Sequence, residues 1–171
     1  MAVTSLPTGV SNGELVRWAF GVLDTHDVTT LKPFWTDAVE HFPDRTCRGS
    51  DEVAAWFEDM FAAFPDMRVE VVALVEQGDD VFVQWRAEGT HQATIFGIAA
   101  TGKRVAVDGM DHFVIRDGKV VSNHVVYDQL DFARQLGLMP PDASPADRAL
   151  KAAFNAATKV AQQIQARRNT S

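Results

Sequence analysis

The proton-transfer capacity of this 171-residue sequence rests on five histidines and 23 Asp and Glu. Where they fall within alternating segments decides which of them could share a site. Between Val105 and Ile115 the odd positions read Val105, Val107, Gly109, Asp111, Phe113 and Ile115. Successive side chains of a strand point to opposite faces, so Asp111 stands alone on an otherwise apolar face. Taking a carboxylate out of water disfavours its charged form and moves its pKa up toward the range that general acid–base chemistry uses. The same pattern also suits a structural Asp paired with a buried Arg or His, and parity alone weighs the two equally.

Four of the five histidines fall in or beside elements that would line the same cavity. His91 ends the face that carries Trp85, His41 sits in Glu40-His41-Phe42-Pro43, and His124 lies four residues before Asp128 on one face of the last expected strand. For any single histidine a satisfied structural role is the commoner one. His112 neighbours Asp111, but alternation sends it to the opposite face, where a surface or interface role is expected. The histidines lack the close spacings of metal sites such as H-x-H or H-E-x-x-H, so no metal is expected. No Gly-rich loop leads from a strand into a helix, which argues against a nucleotide cofactor, and no G-x-S-x-G elbow supplies a serine nucleophile. The expected cofactor set is therefore none.

These residues need a scaffold, and the apolar periodicity supplies one. After a ten-residue tail without period, Ser11 and Glu14 have the form of a capping box. A helix follows with Leu15, Trp18, Ala19, Val22 and Leu23 on one stripe. A short second helix holds Leu31, Phe34 and Trp35; Pro33 is tolerated only in a first turn, which places its start near Thr29 or Thr30. A third helix, capped at Ser50, carries Val53, Trp56, Phe57, Met60, Phe61 and Phe64 at steps of three and four, and ends at Pro65. From there the period is 2. Val69, Val71, Ala73 and Val75 share one face, Val81 to His91 alternate next, and Asp117-Gly118 joins a strand Arg104–Arg116 to another, Lys119–Leu130. Helices first and an antiparallel meander after make an α+β domain over residues 11–137. Residues 138–171 form a linker and an amphipathic helix opened by Ser144-Pro145, with Leu150, Ala153, Ala157, Val160 and Ile164 in a narrow seam. That seam is expected to pack on the domain's own sheet or on a dimer mate, with a dedicated partner helix as the alternative.

The composition narrows the partners. Sixteen Lys and Arg against 23 Asp and Glu leave a formal charge of −7, which argues against nucleic acid and against an anionic membrane surface. With one cysteine, Cys47, no internal disulfide is possible; a small buried thiol and a cytoplasmic location are expected.

Phe64-Pro65-Asp66, Gly89-Thr90-His91, Phe96-Gly97-Ile98 before Thr101-Gly102, and Gly109-Met110-Asp111 resemble, in order and spacing, the SnoaL-like polyketide cyclases. The ending Arg116-Asp117-Gly118-Lys119-Val120-Val121, then His124, Asp128 and Arg134-Gln135-Leu136-Gly137, is similar to that family's last hairpin and trailing turn. The resemblance spans Gly13 to Gly137. It implies the cone-shaped fold of the nuclear transport factor 2-like superfamily, in which helices cap a curved sheet around a deep pocket. In the related ketosteroid isomerases the position like Asp111 holds a protonated acid that hydrogen-bonds a developing oxyanion. The isomerase's general-base aspartate would fall near His41, so that pair is not reproduced. Its first-helix tyrosine is also missing. The cyclases' acid–base aspartate matches Asp128, with support from His124 or His91. Val125 stands where many relatives have tryptophan.

Three functions follow. The first is a cofactor-independent enzyme that removes a proton beside the carbonyl of an apolar small molecule and stabilises the enolate, for aldol cyclisation, isomerisation or dehydration. Here Asp128 serves as base or acid, Asp111 holds the oxyanion, and His41, His91 and His124 orient or relay. Trp18, Trp56, Phe61, Trp85, Phe96, Phe113 and Val126 form the substrate wall. The second is an epoxide hydrolase or cyclase, which wants an Asp-Arg-Asp cluster. The third is a non-catalytic binding or assembly domain. Met110, His112 and Val114 on the outer sheet face point to a homodimer.

Overall fold

The structure, a computed structural model, describes residues 5–168. Its helices are α1 (Asn12–Leu23), α2 (Val28–Leu31), α3 (Gly49–Ala63), α4 (Gln129–Leu136) and α5 (Pro145–Arg168). Its strands are β1 (Val39–His41), β2 (Thr46–Arg48), β3 (Arg68–Gln77), β4 (Asp80–Thr90), β5 (Arg104–Arg116) and β6 (Lys119–Tyr127). The strands form one sheet in the order β2-β1-β6-β5-β4-β3, antiparallel except for the β1–β6 pair. Among the described residues no helix is long and apolar enough to cross a membrane.

The capping box forms as read: Ser11 Oγ accepts from Glu14 N at 3.2 Å, and Ser11 N donates to Glu14 Oε2 at 2.8 Å. The backbone N–H groups of Asn12 and Gly13 donate to the Glu76 carboxylate, so β3 supplies an anion to the positive end of α1. The helices lay their apolar stripes on the sheet, and Val16, Leu31, Phe34, Val53, Val81 and Ile115 are the most deeply buried members of the core between them. Phe42 stacks on Trp56 with centroids 3.8 Å apart, and Trp35 stacks on Phe57 at 5.3 Å.

Several boundaries differ from the sequence reading. The second helix starts at Val28, because the Asp27 carboxylate accepts from the backbone N–H and the hydroxyl of Thr30; Pro33 then falls beyond it. α3 begins at Gly49, with Glu52 accepting from Arg48 N at 2.8 Å, so Ser50 lies inside the helix. β1 and β2, three residues each, are too short to show a period. A bulge between Val71 and Ala73 reverses the parity of β3: Leu74 packs on the core while Val75 is 66 % exposed. The last strand ends at Tyr127. Asp128 is instead the N-cap of α4, its Oδ1 accepting from Asp131 N at 2.8 Å.

α4 closes one end of the sheet. Beyond Gly109, β5 has outrun its partner β6, and there the Gln135 side chain pairs with it as a peptide would: Ala106 N donates to Oε1 at 2.7 Å and Nε2 donates to Ala106 O at 2.8 Å. Gly137, at φ 84°, ends the helix in the left-handed region. The C-terminal helix runs as read from Pro145, anchored by buried Asp147, which accepts from Ala143 N and pairs with Lys151. Its seam is not packed on the sheet: Leu150, Ala153, Ala157, Val160 and Ile164 are exposed. The tail residues 1–4 and the final residues 169–171 lie outside the described residues.

Candidate active site

Between the concave sheet face and the helices lies a cavity of about 130 Å³. Its wall is mostly apolar and rich in aromatic rings. Phe20 comes from α1, Trp56 and Phe57 from α3, Trp85 from β4, Phe113 from β5, Tyr127 from β6 and Phe132 from α4. The size is close to that of cavities that stay dry and admit a single-ring apolar molecule.

Into this wall three inward-facing polar side chains bring one connected array. Asp111, 7 % exposed, sits on β5; Asn123 on β6 and Glu40 on β1 are both 2 % exposed and directly paired across the parallel junction. Asn123 Nδ2 donates to Glu40 Oε2 at 2.8 Å and to Asp111 Oδ2 at 3.1 Å. Trp85 Nε1 donates to Asp111 Oδ1 at 2.7 Å. Glu40 Oε1 and Asn123 Oδ1 are buried without a partner among the described residues.

Burial pushes both carboxyls up, by different amounts. Glu40 rises to about 8: desolvation outweighs the single Asn123 hydrogen bond, and the neighbouring Asp111 charge adds to the rise. Asp111 rises only to about 6, because Trp85 and Asn123 both donate to its charged form against the same desolvation. With two donors on Asp111 against one on Glu40, Asp111 is the more readily ionised of the pair.

Part of this site is legible in the order of residues. Asp111, Trp56, Trp85 and Phe113 line the cavity. Phe61 lies behind the wall, stacked on His26 with centroids 4.1 Å apart. Trp18 is half-buried with its edge to Phe34, and Phe96 packs in a separate cluster with Ile95, Val105 and Leu136. Val126 occupies an outward position of β6 and is 60 % exposed. His91 is wholly buried but turned to its own loop, where Nδ1 accepts from Thr101 N at 3.3 Å and the ring stacks on Phe64. His41 and His124 face away from the cavity and stack on one another at 4.2 Å. Asp128 is exposed at its helix cap, so the chain turns before it could reach the pocket.

Glu40 and Asn123 were missed. Glu40 adjoins the position where the isomerase base would fall, but with no strand read there its parity was unknown. Asn123 alternates with Val125 and Tyr127, and an extra residue on its own strand, Val121, opposite the step from Val114 to Ile115, shifts the phase that would have shown it. Among the described residues no three His, Cys, Asp or Glu converge as metal ligands.

A family model described as SnoaL-like polyketide cyclase matches residues 13–136. Among solved structures, the chain is similar to AclR, a candidate hydroxylase from Streptomyces galilaeus, at 26 % identity over 71 % of this chain and 91 % of that one, with a TM-score of 0.62. It is similar to IdmH, a candidate polyketide cyclase from Streptomyces antibioticus, at 26 % identity over 69 % and 92 %, with a TM-score of 0.59. A SnoaL-like polyketide cyclase from Agrobacterium tumefaciens shares the fold at 22 % identity over 75 % and 100 %, with a TM-score of 0.63. A comparison with curated proteins finds no match.

Proposed function

The chain belongs to the SnoaL-like polyketide cyclase family, and from that premise we propose that it is a cofactor-independent acid–base enzyme acting on an apolar carbonyl compound through an enolate. The observation that carries the reading is the buried pair Glu40 and Asp111, held by one amide in an aromatic cavity and split in acidity by their hydrogen bonds. In this reading the Asp111 carboxylate takes the proton from the carbon beside the carbonyl. Glu40, through its unpaired Oε1, donates to the carbonyl oxygen as negative charge develops there. The enol then returns its O–H proton to Glu40 as it attacks a second carbonyl of the same molecule, whose new alkoxide takes the proton held by Asp111; in isomerisation Asp111 instead delivers that proton to another carbon. Glu40 thus replaces Asp128 as the second group of the pair, and Asp111 passes from oxyanion holder to base. The aromatic wall excludes water from the enolate.

Epoxide opening finds less support, because among the described residues no arginine lines the cavity to complete an Asp-Arg-Asp cluster. The reading keeps the cytoplasmic setting inferred from a single cysteine. It is tested with small apolar diketones that close to a single ring as substrates: Asp111→Asn and Glu40→Gln should each retain binding, seen as quenching of tryptophan fluorescence, and each lose turnover by ~10²-fold or more. Turnover at the wild-type rate in either variant would sink the assignment. Binding without turnover by the wild-type protein across the panel would favour a binding domain.

A further inference from the structure

Glu40 and Asp111 are alike in burial and share the same donor, Asn123. What distinguishes them is the indole of Trp85, whose N–H reaches Asp111 Oδ1 at 2.7 Å and has no counterpart on Glu40 Oε1. That indole has a seat. Gly109 pairs directly with Trp85 across the β4–β5 ladder, and a Cβ added at Gly109 would collide with Cζ2, Cη2 and Cε2 of the Trp85 ring. Gly109 does not have a positive φ, so the site uses its missing side chain and not its conformational freedom. Asp111 lies two residues further along the same strand face, within reach of the indole once it occupies that space.

We propose that Gly109 and Trp85 are positioning residues for the acid–base pair: the glycine seats the indole, and the indole N–H singles out Asp111, and not Glu40, as the carboxylate. A hydrogen bond from a neutral N–H to a carboxylate is charge-assisted and stronger than the same bond to the protonated acid, so a donor given to one carboxyl alone breaks the symmetry of the pair. The other titratable groups on the wall do not compete. Glu88 is paired with Arg104 at 3.0 Å, and the Tyr127 phenol, pushed up to about 12 by burial, stays neutral. The cavity-lining residues of α1, α3 and α4 carry no charge. Gly109-Met110-Asp111 is thereby a functional unit, in which the glycine acts through a residue on the next strand.

The proposal rests on the acid–base reading for its bearing on turnover, but its test needs no substrate. The side-chain carboxyl ¹³C signals of Asp111 and Glu40 are titrated by NMR in the full-length free protein. Trp85→Phe keeps an aromatic ring and removes the donor. It should raise the Asp111 midpoint by about one pH unit and leave Glu40 unmoved or lower. Gly109→Ala should raise Asp111 in the same direction by displacing the indole, and the double variant should go no further than Trp85→Phe, because the seat matters only through the ring. A midpoint for Asp111 that stays put in Trp85→Phe overturns the proposal, as does a parallel rise of Glu40 or an additive effect of Gly109→Ala. Should Gly109→Ala lose the amide dispersion of a folded protein, Trp85→Phe alone decides. A normal titration shift in a protein that turns over none of the diketones would leave this inference standing and the enzyme reading fallen.

Discussion

Glu40 and Asp111 accept hydrogen bonds from the same nitrogen, Asn123 Nδ2, and so lie no further apart than those two bonds in line allow. Two carboxyls this close in an apolar cavity titrate as a pair, and the first prediction concerns pH. Turnover should rise as Asp111 loses its proton near pH 6 and fall as Glu40 loses its own near pH 8, giving a bell whose maximum lies between. A rate profile flat across that interval would show that this pair does not carry the chemistry.

Stability should respond to the same groups with a definite sign. The folded Glu40 holds its proton up to about 8, well above its unfolded value of 4.5. The native state therefore binds more protons between those limits, and stability contributed by the neutral acid is lost as pH rises through the window. Glu40→Gln removes this loss. Its Tm should exceed the wild-type Tm on the order of 5 °C at the upper end of the window, and the gap should close toward the lower end. Calorimetry across pH checks it, and a gap that widens toward acid refutes the burial account.

Asp128 and His124 lie outside the cavity, which yields a contrast with the inward pair. Asp128→Ala should cost about 1 kcal/mol of stability through the lost cap on α4, with Asp128→Asn largely restoring it. His124→Ala should leave ligand affinity unchanged. Denaturant unfolding and fluorescence titration measure the two effects; loss of turnover in Asp128→Asn at full stability would return Asp128 to the site.

The outer sheet face carries Phe82, Met110 and Val126, each more than half exposed, on three adjacent strands. The homodimer expected from the sequence would bury them. The wild-type chain should then sediment at twice 18.8 kDa, and Met110→Glu with Val126→Glu should sediment as a monomer. A monomeric wild type refutes this use of the face.

How much of this was legible beforehand depended on where the chain keeps its period. On β4 and β5 the alternation runs unbroken past the site, so Trp85, Asp111 and Phe113 were placed on the inner face from residue order alone. Where the ladder slips, at Val71/Ala73 and Val114/Ile115, parity stops carrying information: Val75 was misplaced for that reason, and Asn123 went unseen. Glu40 escaped for a different cause. A three-residue strand paired in parallel to a segment 83 positions later has no local signature, and only the fold shows that its middle residue points inward. Asp128 illustrates the converse: on one face of a strand expected to run to Leu130 it reads as a site residue, until the chain is seen to turn into a helix there.

The pairing of Gln135 with Ala106 bears on solubility as well as on architecture. Where β6 turns away, β5 would offer neighbouring molecules a bare row of peptide groups, the kind of template on which sheets of separate chains join and precipitate. A side-chain amide has the same donor and acceptor as a peptide but no chain beyond it, so it satisfies Ala106 and propagates nothing. The helix that seals the pocket with Phe132 is thus also the guard of the sheet's open margin, and loosening it to admit a larger ligand would expose the molecule to self-association.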